Sequence, residues 1–379
     1  YAYESAPNST DLTWETVITK NIGLDLGFLN NRLNVSFDAY IRDTKDMLMA
    51  GKTLPGVYGA SSPRMNVADL RTKGWEASIT WGDSFTLASK PFNYRVMAGI
   101  GDNTSKVTKY DNPNRTLTDP YEGQQLGEIW GYVVDGYFKT DEEARNYKVD
   151  QSFVNQMINA SALDNGLHAG DLKFVDLDGN NKIEQTTSAN DRKDMKVIGN
   201  SLPRYNYNFG ISADWYGIDF SVLFQGIGKQ NWYPGAETSM FWGPYSRPYA
   251  SFIPSDFMSQ VWSEENTDAY FPRPRGYVAL GSNRELAVVN TKYLQNLAYC
   301  RLKNLSIGYT LPDKWLSKIG FEKIRVYFSG ENLLTFTKLH SDYIDPEQAS
   351  ASNSWKTSKS DANIYPWAKT YSFGVDITF

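Results

Sequence analysis

Strict alternation of apolar and polar residues constrains this chain more than any other feature. In the last nine residues Tyr371, Phe373, Val375, Ile377 and Phe379 are apolar, and Ser372, Gly374, Asp376 and Thr378 separate them. Side chains on a strand point alternately to opposite faces, so this segment has one apolar face and one small or polar face. Tyr205, Tyr207, Phe209, Ile211, Ala213 and Trp215 repeat the pattern, as do Leu33, Val35, Phe37, Ala39 and Ile41 and, before them, Ile22, Leu24, Leu26 and Phe28. Further runs lie at Trp75 to Trp81, Tyr94 to Ile100, Ile218 to Phe224, Leu305 to Leu311 and Ile324 to Phe328. The set predicts about nine strands.

The connections between these runs alternate in length. Asn30-Asn31, 83–91, Trp215-Tyr216-Gly217 and 312–320 are short, whereas 49–66, 111–203, 233–290 and 338–364 are long. Short turns at one end and long loops at the other describe a transmembrane antiparallel β-barrel with periplasmic turns and extracellular loops. The last strand then runs from the loop side and ends at Phe379 on the periplasmic side. A soluble β-sandwich would also alternate, but its loops would not segregate by length. Trp14, Phe28, Trp75, Trp81, Trp215, Tyr309 and Phe379 stand at strand ends, as in the aromatic girdles of a membrane barrel. On this reading Phe220, Val222, Phe224, Phe373, Val375 and Ile377 face lipid, and Ser221, Gln225, Ser372, Gly374 and Asp376 face the lumen.

Composition agrees. Aromatic residues make up 15% of the 379, yet the mean hydropathy is −0.49. No run approaches the roughly 18 apolar residues of a membrane helix. The net charge of −5 argues against a nucleic-acid partner. The lone Cys300 allows no internal disulfide or thiolate cluster. His168 and His340 fall in loops with no nucleophile placed beside them, so no catalytic constellation is expected, nor an organic cofactor. Nine is an odd count, whereas bacterial barrels have even ones, and an open sheet in lipid would leave an edge of unpaired backbone groups. The chain, which opens at Tyr1 without a leader, is therefore expected to be the C-terminal portion of a larger barrel.

The long loops carry their own signals. Residues 141–163 have helical character, with Thr140 as N-cap and Asp141, Glu142 and Glu143 in the first turn. Ser255 to Trp262 reads as a short helix with Phe257, Val261 and Trp262 on one side. Trp130, Tyr132, Trp232, Tyr233, Phe241, Trp242, Tyr245 and Tyr249 could stack on sugar rings, or pack loop against loop. Asp176, Asp178 and Asn180 offer side-chain oxygens at alternate positions, and Lys182 adds a carbonyl, as in the first part of an EF-hand calcium loop. Asp191 would close the site after an inserted segment. Over 141–194 there are eleven acidic against six basic residues, a crowding that a structural Ca2+ would relieve.

An ordered series of motifs runs through nearly the whole chain. It includes Leu12-Thr13-Trp14-Glu15, Asn21-Ile22-Gly23-Leu24-Asp25, Gly74-Trp75-Glu76, Gly131-Tyr132, Ala169-Gly170-Asp171-Leu172-Lys173 and Asp176 to Ile183. Ile198-Gly199-Asn200, Asp219-Phe220-Ser221, Gln225-Gly226, Leu311-Pro312, Ser329-Gly330-Glu331-Asn332-Leu333, Asp345-Pro346-Glu347, Tyr365-Pro366 and the terminal Phe379 continue it. In this series the chain resembles the C-terminal half of the SusC/RagA group of TonB-dependent outer-membrane transporters. The resemblance implies an outer-membrane location and a 22-stranded barrel, most of it and its plug lying outside residues 1–379. It implies a SusD-like surface lipoprotein over the mouth and energy delivered by TonB; the size of the loops 111–203 and 233–290 and their two expected helices make them the expected docking surface. It also implies uptake of oligosaccharides, or of peptides in some branches. A passive or adhesive barrel and a soluble carbohydrate-binding β-protein are the rival readings.

Overall fold

The computed structural model describes residues 9, 12–51, 56–155, 166–246, 252–275, 277–281, 283–316, 320–349, 359–360 and 365–379. Nine long strands form one sheet in sequential order: β1 (Thr16–Phe28), β2 (Leu33–Ala50), β3 (Arg64–Leu87), β4 (Lys90–Lys109), β5 (Arg204–Trp215), β6 (Ile218–Lys229), β7 (Tyr299–Thr310), β8 (Lys323–Thr337) and β9 (Thr370–Thr378). Every neighbouring pair is antiparallel. β1 and β9 each have one strand neighbour, so the sheet is an open wall.

Register explains the alternation. Residues directly opposite one another in an antiparallel pair share a face. Ile79, Ala98, Phe209 and Phe224 form one such row from β3 to β6. Tyr94, Ala213, Phe220, Ile307, Phe328 and Phe373 form another, from β4 to β9. Phe209 and Phe224 stack with ring centroids 4.8 Å apart. Many of these residues are exposed, among them Ile79, Phe209, Ile307 and Phe373, the last at 84%. Such a face needs lipid. The opposite face carries Arg95, Ser212, Ser221, Ser306, Ser329 and Ser372 in one row. The residues expected to face lipid and lumen thus lie on opposite faces of the sheet.

The tight turns use left-handed residues, as two-residue hairpins require. Ala88 and Ser89 have φ of 50° and 63°, and Tyr216 and Gly217 have 49° and 84°. Aromatics gather at this end: Phe85, Phe92 and Tyr94 lie with centroids 5.0–6.2 Å apart, and Phe321 meets Phe379 at 5.2 Å. At the other end β2, β3 and β4 run well beyond the expected strands. β3 has 24 residues, where about 9–11 would span a bilayer. The extension loses the apolar alternation and is braced instead by the Arg71–Asp43 ion pair, at 2.6 and 3.1 Å.

The long loops fold together on the side opposite the tight turns. Short ladders pair Glu128–Tyr132 with Met195–Asn200, Val134–Tyr137 with Leu172–Phe174, and Asn231–Pro234 with Gln295–Asn296. One buried core draws on three of these loops, with Leu172 and Phe174 from the first of them, after β4, Trp242, Phe271 and Tyr293 from the second, after β6, and Leu339 and Ile344 from the third, after β8.

Two helix expectations are corrected. The helix from Asp141 stops at Arg145, although Thr140 caps it as expected by accepting from the Glu143 amide at 3.1 Å. Asp150 is drawn into main-chain bonds with Asn181 (2.9 Å) and Ile183 (2.8 Å), and these compete with helix continuation. The remainder of the expected helix, from residue 156, lies outside the described residues. Around 255–262 the structure has a 3-10 turn, Phe257–Gln260, with Phe257, Val261 and Trp262 all buried.

Candidate functional site

The lumen face is built from strand positions that alternate with the apolar rows. Between β2 and β5 it forms a recess of about 360 Å3 lined by Ser36, Asp38, Tyr40, Glu76, Ser78, Asn206 and Asn208 among others. Two glycines shape this face. A Cβ on Gly74 would meet the Tyr40 ring at 2.4 Å, and one on Gly374 would meet Tyr327 at 2.3 Å, so each tyrosine lies flat across a missing side chain. Asn21 donates to Asp38 at 3.1 Å. The recess thus presents hydroxyl, amide and carboxylate groups beside one aromatic ring, a set that donates to and accepts from a polar ligand.

Two arginine knots fix the wall beyond the recess. Near the tight turns Arg325 forks onto Asp219 at 2.9 and 2.6 Å and reaches Asp376 at 3.2 Å. Near the loops Arg301, only 3% exposed, bonds Asp345 and Glu347, each at 2.6 Å, while Lys303 bonds Glu347 at 2.9 Å. Two cations against two carboxylates make this buried group neutral, which is what burial of ion pairs requires. The contact ties the segment after β8 onto the polar face.

The aromatic residues singled out as sugar-stacking candidates are placed otherwise. Tyr132, Trp232, Tyr233, Trp242 and Tyr245 are 0–3% exposed and belong to the loop core. Trp242 packs on Phe241 at 4.7 Å and Tyr293 at 5.2 Å, and its Nε1 donates to the Gly235 carbonyl at 2.9 Å. Only Trp130 is half-buried. The five buried rings pack loop against loop and leave no face for a sugar; loops this long need a core of their own. Tyr249 lies outside the described residues.

The acidic turn forms largely as its spacing suggests. Asp176 accepts from the Gly179 and Asn181 amides, both at 2.7 Å, and Asn180 accepts from the Lys182 amide at 2.8 Å. Asn181 is left-handed, φ 61°. Burial opposes ionisation of Asp176, but the Asn181 and Gly179 amides hold its carboxyl below the usual range. Asp191 is not the closing residue. Its side chain is exposed, and its amide donates to the Ser188 carbonyl at 3.2 Å within a local turn. Three residues further on, the fully buried Asp194 takes the place. It accepts from the Leu177 amide at 2.9 Å and the Glu184 amide at 2.7 Å. Carboxylate oxygens of Asp176, Asp178 and Asp194 lie within 4.8 Å of one another. Burial first, with added repulsion from Asp178 and Asp176, pushes the Asp194 carboxyl up. These three oxygens are the atoms that could hold a hard cation.

An apolar outer face, a polar inner face, aromatics at the turn end and a folded loop domain at the other define a wall of an outer-membrane β-barrel. The chain belongs to the family described as TonB dependent receptor-like, beta-barrel, which matches residues 1–333; that membership places the wall in the outer membrane. TonB-dependent receptor P3 of Formosa agariphila is 28% identical over 388 residues, covering 97% of this chain and 34% of that protein. TonB-dependent receptor SusC of Bacteroides thetaiotaomicron is 24% identical, covering 97% and 32%. The fold matches the RagAB peptide importer in its open-open state with a TM-score of 0.69 at 22% identity, covering 97% of this chain and 35% of that one. The chain therefore spans about a third of the length of these relatives.

Proposed function

We propose that the chain is part of the wall of a TonB-energised outer-membrane importer of the SusC/RagA kind, that its cargo is an oligosaccharide, and that a SusD-like surface lipoprotein docks on its loop domain. The observation that carries the cargo reading is the recess around Tyr40. Its hydroxyl, amide and carboxylate groups suit ligands rich in hydroxyls, which donate and accept at once. The loop domain supports the partner reading, because a folded platform on one side of the wall gives a lid a surface to meet. The plug, the TonB-contacting segment and the other strands would come from the rest of the protein.

The test uses the full-length protein and its Asp38→Ala and Asn208→Ala variants. Binding of a defined oligosaccharide panel should weaken about tenfold in each variant, the loss of one hydrogen bond to a polar ligand. Binding of peptides without any glycan, as the RagAB name would suggest, overturns the cargo reading. Cellular uptake that persists without TonB overturns the importer reading.

A further inference from the structure

The loop domain contains a buried carboxyl group that the reading above does not use. Glu285 is 1% exposed and belongs to the second long loop. One of its oxygens, Oε2, accepts from the Leu172 amide of the first long loop at 3.1 Å. Its other oxygen is buried and has no hydrogen-bond partner among the described residues. Beside Leu172 stands Asp171, 0% exposed, which accepts from the His168 amide at 2.9 Å and from Arg275 Nε at 3.0 Å, with a second Arg275 bond through Nη2.

Charge counting decides the state of this group. Two carboxyls are buried together, and the Arg275 fork is taken by Asp171. The other nearby guanidinium, Arg273, points its Nη1 at the Ala169 carbonyl, 3.2 Å away. The phenols of Tyr137, Tyr233, Tyr245 and Tyr293 also lie around Glu285. All four are pushed well up by burial and stay neutral through the physiological range. An ionised Glu285 would thus be a second negative charge in an apolar core with one bare oxygen, which is strongly disfavoured.

We propose that Glu285 is a proton-dependent clasp between the two long loops: closed, it holds a proton, and opening the Leu172–Glu285 contact releases that proton to solvent. Burial, and then repulsion from Asp171, push its carboxyl up from 4.5 to about 8. The sign follows. Below about pH 4.5 both the closed and the opened carboxyl are protonated, and the closed state has its full advantage. As pH rises towards 8 only the opened form gives up its proton, so closure weakens. Above about 8 both forms are ionised and the dependence flattens. One proton released per opening means about a tenfold change in the opening equilibrium per pH unit within that window.

Native-state hydrogen exchange on the full-length protein in detergent reads this directly. After correction for the intrinsic exchange rate, protection of the Leu172 amide should fall about tenfold per pH unit between roughly pH 5 and 8. Glu285→Gln keeps an oxygen acceptor and cannot titrate, and burial-raised Asp171 then loses its charged neighbour, so the tenfold slope should be lost. The imidazole of His168, 3.7 Å from Asp141, is present and unchanged in that variant. A flat wild-type profile, or the same slope in E285Q, overturns the proposal. As a check that needs no variant, the wild type near pH 7 should show the infrared carbonyl band of a buried protonated acid. Its absence also overturns the proposal.

Discussion

Placing an arginine on β6 one residue to either side of a face boundary measures which side of the sheet meets lipid. Val222 lies between Ile211 of β5 and Leu305 of β7, whereas Ser221 lies between Ser212 and Ser306. Ile218 begins β6 at the tight turn. Four residue steps lead from it to Val222, about 14 Å along the strand, and a tilt of about 45° turns that into roughly 10 Å of height. Val222 is therefore near the middle of an apolar band about 25 Å tall. Val222→Arg should cost about 2–4 kcal/mol, a loss of roughly 30- to 700-fold in the folding equilibrium. Ser221→Arg enters a polar, exposed position and should stay within about 0.5 kcal/mol. The assay is urea-dependent folding of the full-length protein into lipid vesicles, followed by tryptophan fluorescence. Equal shifts for the two variants, or a larger one for Ser221→Arg, would refute the assignment of faces.

Further outcomes test the remaining parts. Trp242→Ala removes a fully buried ring and should cost about 3–5 kcal/mol, read as protease sensitivity of 110–203 and 230–298 while the strands remain protected. Residues 1–379 expressed alone should not yield a stable inserted barrel, because β1 and β9 each have an edge without a strand neighbour; a cooperatively folded monomer would contradict this. Deleting 111–203 or 233–290 should release a co-purified surface lipoprotein, and unchanged co-purification after both deletions would exclude docking there. We also propose calcium at the acidic turn: about a hundredfold excess over its Kd should stabilise the loop domain by roughly 2.7 kcal/mol. Asp194→Asn should abolish that gain, while Asp191→Asn should leave it unchanged.

The strands were legible because a membrane wall repeats one simple instruction: every second residue must satisfy hydrocarbon. Tyr371 to Phe379 and Tyr205 to Trp215 could be read with no knowledge of their neighbours. The upper part of β3 could not, because Asp69, Arg71 and Lys73 break the apolar alternation and are held by strand pairing instead. In the loops the decisive contacts are between residues far apart in sequence. The helix at Asp141 is cut short by a bridge from Asp150 to Lys182. Asp194 replaces Asp191 because the chain between Glu184 and Asp194 folds into a turn whose return path spacing alone does not reveal. The aromatics carry the same ambiguity, since a tryptophan suited to a sugar is equally suited to a core.

The apparent conflict in composition, aromatic-rich yet polar, resolves once the molecule is divided by solvent. The wall has no packed interior of its own; its apolar side chains face lipid and its polar ones the lumen. The loop domain is the part that must exclude water by packing, and Trp232, Tyr233, Trp242, Phe271 and Tyr293 are spent there. Other aromatics mark the turn end, as with Phe85, Phe92 and Phe379. The two parts therefore rest on different forces. Lipid and the strand ladder hold the wall, while aromatic burial and buried polar contacts such as Leu172–Glu285 hold the loops. Conditions that weaken one need not weaken the other. A change of pH that ionises Glu285 should alter the loop platform while the wall keeps its register, so any surface partner seated on that platform would respond to pH through the loops alone.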